Sequence, residues 1–200
     1  YYEHNDHVAI AKKLQQKMAK SSIEWTQITW NPTTGCTKVG SECKNCYAEK
    51  ETNRYQYNPK QKKYHAGFDV VVEHEDSLND PLKYKTPSAM FVDSMSDLFH
   101  EDVSLEFIQK VFEVMNNTPH HTYQVLTKRA DKLVEYSDRL NWTDNIWMGV
   151  SVGINASKPR ISALQQCGAR KKFISFEPLL EQIDELDLSN IDMAILGGES

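Results

Sequence analysis

The chain has 200 residues and a formal net charge of −5, with 40% hydrophobic and 26% charged residues. This composition is typical of a globular domain that buries one core, and no run of about eighteen apolar residues predicts a membrane span. The negative charge argues against nucleic-acid binding dominated by the charge of the whole chain, although a local basic patch stays open. We expect no membrane partner.

The first 22 residues are predicted to lie outside the domain, as a helical extension or a non-native leader. Apolar positions at helical spacing within 7–19 favour an amphipathic helix. Met18 precedes the first predicted strand and would make a natural start. At the other end the chain stops at Ser200, directly after an apolar strand, so we expect a missing C-terminal portion.

Six short apolar segments follow within 23–200, and their composition is typical of strands buried on both faces. They are 25–30, 89–93, 122–127, 146–152, 172–176 and 193–196. Helices are predicted between several of them, at 105–116 with Ser104 as N-cap, at 130–140, and at 157–167. The alternation predicts an α/β fold with parallel strands, in the form of a partial (β/α)6 TIM-like barrel truncated at the C-terminus.

A segment at about 48–88 interrupts this alternation and is predicted to be an insertion, with a short strand at 68–73. It carries Arg54, Tyr57 and Lys60, and basic side chains interleaved with tyrosines can bind a nucleic-acid backbone and stack on bases. A solvated loop is the other interpretation, which the acidic net charge favours. Nucleic acid therefore stays a substrate hypothesis.

Three of the four cysteines lie within eleven residues, directly after the first predicted strand. Cys36, Cys43 and Cys46 supply three thiolates, one ligand short of a closed tetrahedral site. They fit either zinc completed by His65 or His100, or a four-iron cluster with one iron left open. A disulfide between the last two cysteines is a further alternative. Cysteines this close together in sequence are more typical of metal ligands in a reducing cytoplasm than of disulfides, and we expect this protein in the cytoplasm.

Polar residues follow all six predicted strands, and function gathers at this edge of a parallel sheet. The residues are Asn31, Ser94, Ser96, Asp97, His100, Lys128, Arg129, Ser151, Asn155, Glu177 and Glu199. Any one of them alone is more often a solvated loop residue, but their occurrence at six strand ends predicts a single polar site facing the cysteines. Cys167, at the end of a predicted helix, is instead expected to be buried in the core.

Short motifs occur at these strand ends in a fixed order from residue 23 to the end. They are Trp30-Asn-Pro-Thr-Thr-Gly-Cys36, Cys43-Lys-Asn-Cys46-Tyr-Ala-Glu49, Ser94-Met-Ser-Asp97-Leu-Phe-His100, Leu126-Thr-Lys128-Arg129, Ser175-Phe-Glu177-Pro178-Leu and Gly197-Gly-Glu199-Ser200. The series resembles the radical S-adenosylmethionine (AdoMet) superfamily. More closely, it is similar to a phage and bacterial family of uncharacterised three-Cys-motif proteins. It is also similar to the spore photoproduct lyase branch of the superfamily, which repairs DNA.

The resemblance implies that Cys36, Cys43 and Cys46 bind a [4Fe-4S] cluster and that AdoMet binds the fourth iron. It implies an enzyme that generates a 5′-deoxyadenosyl radical, with an electron donor such as a flavodoxin or ferredoxin as partner. The substrate is unknown, with nucleic acid or a nucleotide as the hypothesis, and no catalytic residue is assigned. The implied AdoMet contacts are Ser94, Ser96 and Asp97 to the methionine part or ribose, Lys128 or Arg129 to the carboxylate, and Ser151, Glu177 and Glu199 in the deeper pocket.

One departure from the superfamily pattern is the spacing of the cysteines. Six residues separate Cys36 from Cys43, which is more than the superfamily usually has. Gly40 gives this longer loop freedom to fold back. A zinc-binding, non-catalytic protein of the same fold, with a Cys3His site, therefore stays the alternative.

Overall fold

The computed structural model of the chain describes residues 19–20 and 25–197. Its strands are β1 (Ala19–Lys20), β2 (Ile28–Trp30), β3 (Thr33–Thr34), β4 (Val72–Glu73), β5 (Ala89–Val92), β6 (Thr122–Thr127), β7 (Ile146–Ser151), β8 (Lys171–Phe176) and β9 (Met193–Leu196). Its α-helices are α1 (Tyr47–Tyr55), α2 (Leu105–Asn117), α3 (Ala130–Tyr136) and α4 (Pro159–Gln166). None of the described helices is long and apolar enough to cross a membrane.

The main sheet has the strand order β1-β2-β5-β6-β7-β8-β9. The six strands from β2 to β9 in this order are parallel, and β1 pairs with β2 in the antiparallel sense. Helices α2, α3 and α4 make the crossovers from β5 through β8. The predicted α/β class with six parallel strands is thus confirmed. The sheet is open in the part of the chain that the structure describes, with β1 and β9 at its edges.

The hydrophobic core lies between the sheet and these helices. Trp30, Val92, Val125 and Met148 are register partners on four neighbouring strands, and all four are almost completely buried. Burial of each such side chain contributes about 1.5–3 kcal/mol, and a shift by one residue would move the whole row to the other face of the sheet, which favours the observed register. Cys167 belongs to this core, as predicted.

Helix boundaries differ from the sequence prediction by a few residues, for identifiable reasons. The N-cap of α2 is confirmed, because Ser104 Oγ accepts a hydrogen bond from the backbone N–H of Phe107 at 3.2 Å. Helix α3 ends at Tyr136 rather than at residue 140. The carbonyl of Ser137 accepts from Trp142 Nε1 at 3.0 Å and its hydroxyl accepts from the N–H of Gly168 at 2.8 Å, so the chain turns there.

The predicted insertion contains regular structure that the sequence prediction missed. Helix α1 lies within it, and only two residues of this helix, Ala48 and Thr52, are buried. The predicted strand at 68–73 is reduced to β4, which pairs with β3 beside the cysteines. In addition, residues 19–20 of the predicted extension form β1 in the main sheet, whereas residues 1–18 and 21–22 lie outside the described residues.

Candidate functional site

A cavity of about 780 Å³ lies at the carboxyl ends of the parallel strands. The predicted site residues that line it are Cys36, Cys43, Cys46, Ser94, Ser96, Asp97, Lys128, Arg129, Ser151 and Glu177. Glu199 lies outside the described residues. The volume is in the range of small-molecule and cofactor sites. The structure therefore brings these residues to one place, while the groups that they bind stay predictions.

One side of the cavity is aromatic. Trp25 and Phe91 line it with their ring centroids 4.8 Å apart, and Phe173 lies behind them with its centroid 6.2 Å from that of Trp25. Gly149 makes room for this arrangement, because a Cβ at that position would lie 2.4 Å from Phe173 Cζ. The cavity therefore combines an apolar wall with polar strand ends, as ligand pockets typically do.

The loop 35–46, here called the cysteine loop, connects β3 to α1. It begins at Gly35, which has φ of +84° and would place a Cβ 2.0 Å from the carbonyl oxygen of Val70, so only glycine fits there. The backbone N–H of Cys36 donates to the carbonyl of Phe68 at 2.7 Å. Cys43 ends a short 3-10 turn, and Cys46 is the N-cap residue of α1. Helix α1 thus fixes where the third cysteine enters the cavity.

All three cysteines of the loop are half-buried free thiols, so no disulfide joins Cys43 and Cys46. Burial raises the pKa of the Cys36 thiol to about 11, and the carboxylate of Asp97 adds to this effect. Among the described residues, no three His, Cys, Asp or Glu side chains are arranged to hold a metal ion. Binding one metal group through all three thiols therefore requires the side chains to turn toward a common point. The donor set itself suits zinc or an iron–sulfur cluster.

The first end of the cysteine loop is held by Arg129, which follows β6. Its Nη2 donates to both the carbonyl oxygen and Oγ1 of Thr37, each at 2.9 Å. Its Nη1 contacts Cys36 Sγ at 3.5 Å and Asp97 Oδ2 at 3.2 Å. Its Nε donates to Glu101 Oε2 at 2.8 Å. The guanidinium is buried, and these two carboxylates hold the pKa of Arg129 above its usual range.

The carboxylate of Asp97 connects the ends of β5 and β6. Its Oδ1 accepts from Thr127 Oγ1 at 2.7 Å and from the N–H of Phe99 at 3.0 Å. Its Oδ2 accepts from the N–H of Lys128 at 3.1 Å as well as from Arg129. The predicted AdoMet contact of Asp97 stays a prediction. Its four bonds within the protein indicate a structural role in holding the cavity wall.

The second end of the cysteine loop is held by Glu42, a residue that the sequence analysis missed. Its buried carboxylate accepts from Arg160 Nη1 at 3.0 Å and from the N–H of Gly153 at 2.7 Å. The same Nη1 of Arg160 donates to the carbonyl of Ser151 at 2.8 Å. The loop is therefore tied to α4 and to the end of β7. The sequence gives no signal for this pair beyond an acidic residue in a loop.

Neither histidine that was considered as a fourth zinc ligand lines the cavity. His100 is buried, its Nδ1 accepts from the N–H of Asp102 at 3.1 Å, and its Nε2 therefore carries the proton and donates to Thr37 Oγ1 at 2.8 Å. Burial and the nearby Arg129 lower the pKa of His100, which keeps the ring neutral. His65 is exposed and its Nε2 bonds the carbonyl of Asn58 at 2.9 Å.

The predicted serines after β5 bond to the segment that follows β2. Ser94 Oγ donates to Asn31 Oδ1 at 3.1 Å. Ser96 Oγ donates to the carbonyl of Thr33 at 3.1 Å and lies 2.7 Å from its Oγ1. Each hydroxyl directs its hydrogen into the protein, and its remaining lone pair is the part that a ligand in the cavity can use.

Two buried polar atoms of the cavity lining have no hydrogen-bond partner among the described residues. They are Ser151 Oγ and Asp93 Oδ2. Asp93 was not predicted as a site residue. It adopts φ of +56°, and its other oxygen accepts from the N–H of Thr33 at 2.9 Å. Burial raises the pKa of Asp93 to about 7. Unpaired buried polar atoms are costly, so these two mark where a bound ligand would supply hydrogen bonds.

The raised pKa of Asp93 makes a testable prediction about stability. The folded state favours the protonated form of Asp93. The contribution of Asp93 to stability is therefore fully present below pH 3.8, its ordinary pKa, and is lost as the pH rises through about 7, its pKa in the folded protein. Asparagine tolerates positive φ and cannot ionise. Relative to wild type, Asp93→Asn should therefore gain roughly 2–3 kcal/mol of unfolding free energy between about pH 5 and about pH 8. Urea unfolding of both proteins at the two pH values measures this, and parallel curves would contradict it.

The class of fold is defined by the parallel strands and the cavity at their ends. The chain has the fold of spore photoproduct lyase, a radical AdoMet enzyme. A variant of that lyase with bound AdoMet and dinucleoside spore photoproduct superposes with a TM-score of 0.60 at 13% identity, covering 88% of this chain and 58% of that chain. A complex of the lyase with dinucleoside spore photoproduct gives 0.58 at 14% identity, covering 83% and 49%. This chain therefore spans about half of the lyase.

The particular family is given by the sequence. Residues 20–200 match the model of the family described as "Protein of unknown function (DUF5131)", and the chain belongs to that family. No curated protein matches the sequence. The matched region begins at Lys20, the second residue of β1, while the boundary predicted after residue 22 stays a prediction.

Proposed function

We propose that this protein is a radical AdoMet enzyme, in which Cys36, Cys43 and Cys46 hold a [4Fe-4S] cluster and the adjoining cavity binds AdoMet. The observation that carries the proposal is the sharing of one cavity by three free thiols and the polar ends of the neighbouring parallel strands. The fold of an enzyme that has been solved with bound AdoMet supports it.

The residues of the cavity fit AdoMet chemically. Ser151 Oγ and Asp93 Oδ2 are unpaired and can bond the ribose hydroxyls or the ammonium group. Lys128, half-buried in the lining, provides a cation for the carboxylate. Glu177 and the predicted Glu199 belong to the same proposal, as acceptors for ribose hydroxyls in the deeper pocket.

When bound and reduced, the cluster would supply the electron that cleaves the AdoMet sulfonium and releases a 5′-deoxyadenosyl radical able to abstract hydrogen. The protein's own residues position the cysteine loop and shield the cavity from water. Trp25 and Phe91 keep water from one side of the cavity. The contacts of Arg129 and Glu42 hold both ends of the cysteine loop against the sheet.

The reaction also needs a reductant and a substrate. We propose that a flavodoxin or ferredoxin delivers the electron in a reducing cytoplasm, where the loop thiols stay unpaired. We propose a nucleic acid or nucleotide as substrate, because Tyr55 lines the cavity and stacks near Tyr64 with centroids 5.5 Å apart. Beyond this pair, Tyr57 and Lys60 are exposed and available to bases and phosphates.

The hydroxyl of Ser151 gives a prediction that separates ligand binding from folding. Because Ser151 Oγ has no partner among the described residues, Ser151→Ala should leave the unfolding free energy of the metal-free protein within about 0.5 kcal/mol of wild type. If the hydroxyl bonds AdoMet, the dissociation constant should rise by about fivefold. Urea unfolding and calorimetric titration with AdoMet measure the two effects. A loss of stability without any change in AdoMet affinity would contradict the prediction.

The metal itself distinguishes this proposal from the zinc alternative. Protein reconstituted anaerobically with iron and sulfide should turn brown and hold about four irons per chain, since a cluster of this type contains four. His65→Ala and His100→Ala should keep that iron content, because neither ring lines the cavity. A colourless protein that instead retains one zinc ion after the same treatment, and loses it in either histidine variant, would support the zinc-binding protein and overturn the proposal.

A further inference from the structure

The sequence predicts that Lys128 or Arg129 binds the carboxylate of AdoMet, but the contacts of Arg129 indicate a different role for this residue. A guanidinium has five N–H donors. Those of Arg129 face five acceptor atoms of the protein, which are Glu101 Oε2, Asp97 Oδ2, Cys36 Sγ, and the carbonyl oxygen and Oγ1 of Thr37. Its side chain is only 4% exposed. No donor is left for an incoming carboxylate.

The side chain of Lys128, unlike that of Arg129, is available to a ligand. Its backbone N–H bonds Asp97, which fixes the main chain, while its side chain lines the cavity and makes no ion pair among the described residues. One ammonium group in the cavity is sufficient to pair with one carboxylate. The two adjacent basic residues therefore have different roles. Lys128 is available to a ligand in the cavity, whereas Arg129 is bonded to the protein residues that form the cavity wall.

We propose that Arg129 is a positioning residue of the cysteine loop and that its N–H donation to Cys36 Sγ raises the reduction potential of the bound cluster. The inference rests on the proposed function. A cluster becomes more negative when it is reduced, so a donor and a fixed positive charge at a ligating sulfur favour the reduced state. Asp97 and Glu101 keep the guanidinium in place from the other side.

The test compares reconstituted wild type with Arg129→Gln, Arg129→Lys and Lys128→Ala. The midpoint potential is read by redox titration followed by electron paramagnetic resonance, and AdoMet affinity by calorimetry. Arg129→Gln should lower the reduction equilibrium constant by about tenfold, equal to about 59 mV for one electron, with AdoMet affinity within about twofold. Arg129→Lys keeps the positive charge but loses the planar guanidinium with its several N–H donors. It should therefore also lower the midpoint potential, but by less than Arg129→Gln does. Lys128→Ala should keep the potential and weaken AdoMet by about tenfold.

The controls and contrary outcomes are distinct. Arg170→Gln removes an exposed arginine that pairs with Asp144 at 3.0 Å, and it should change neither readout. If Arg129→Gln does not fold, Arg129→Lys carries the test. Two outcomes would overturn this inference alone, provided that wild type carries its cluster. One is an Arg129 variant with the same midpoint potential as wild type, and the other is an Arg129 variant that loses AdoMet affinity while its potential is unchanged. A wild type that assembles no cluster would overturn the proposed function as well.

Discussion

Replacing Cys43 with alanine is expected to abolish cluster binding and, with it, cleavage of AdoMet. A cluster held by three cysteines has no spare protein ligand, and the described residues offer no histidine in the cavity to replace a lost thiolate. Iron and sulfide content per chain after anaerobic reconstitution, together with visible absorbance, measure the loss. The expected result for Cys43→Ala is background iron and a colourless protein.

The matched control is Cys167→Ala, which removes the fourth thiol from a different place. Cys167 is 4% exposed, belongs to the hydrophobic core and does not line the cavity. This variant should lose about 1 kcal/mol of stability through the small void that it leaves, and should keep its full iron content. If Cys43→Ala kept its iron, or if Cys167→Ala lost it, the assignment of the cysteine loop would be wrong.

Replacing Asp97 with alanine is expected to have the largest effect on stability. The variant leaves the buried guanidinium of Arg129 without one of its carboxylates and removes the acceptor of two backbone N–H groups, those of Phe99 and Lys128. Removing one partner of a buried ion pair typically costs about 3–5 kcal/mol. Urea unfolding at neutral pH should show a loss of this size in the metal-free protein.

The matched control for this change is Asp144→Ala. Asp144 also pairs with an arginine, Arg170, at the same kind of distance, 3.0 Å, but its side chain is 78% exposed. Exposed pairs contribute about 0–1 kcal/mol, so the control should be nearly neutral. Equal losses of unfolding free energy in the two variants would show that the buried pair of Asp97 and Arg129 stabilises the protein no more than an exposed pair does. Arg129 would then not be held firmly enough to position the cysteine loop.

The strands and the position of the site could be predicted from the sequence because both depend on simple rules. Strands covered on both faces must be apolar, so runs such as 122–127 and 146–151 are recognisable without knowledge of their neighbours. Parallel strands place all their carboxyl ends at one edge, so residues far apart in sequence, such as Cys36 and Glu177, could be expected to share a cavity.

What could not be predicted depends on partners that are distant in sequence or on burial without an apolar pattern. Helix α1 buries only Ala48 and Thr52, so it has no apolar stripe to identify it. Glu42 and Arg160 are 118 residues apart and look like surface charges until the fold joins them. Arg129 looked like a ligand-binding cation for the same reason, because its five acceptors come from two segments that are far from it in sequence, residues 36–37 and 97–101.

The most direct test of the proposed function is the formation of 5′-deoxyadenosine from AdoMet. Reconstituted protein is incubated anaerobically with AdoMet and dithionite, and the product is quantified by chromatography. Wild type and Cys167→Ala should both form 5′-deoxyadenosine, whereas Cys43→Ala should form none above the level seen without protein. A wild-type protein that carries its cluster and binds AdoMet, yet forms no 5′-deoxyadenosine, would contradict the assignment as a radical AdoMet enzyme.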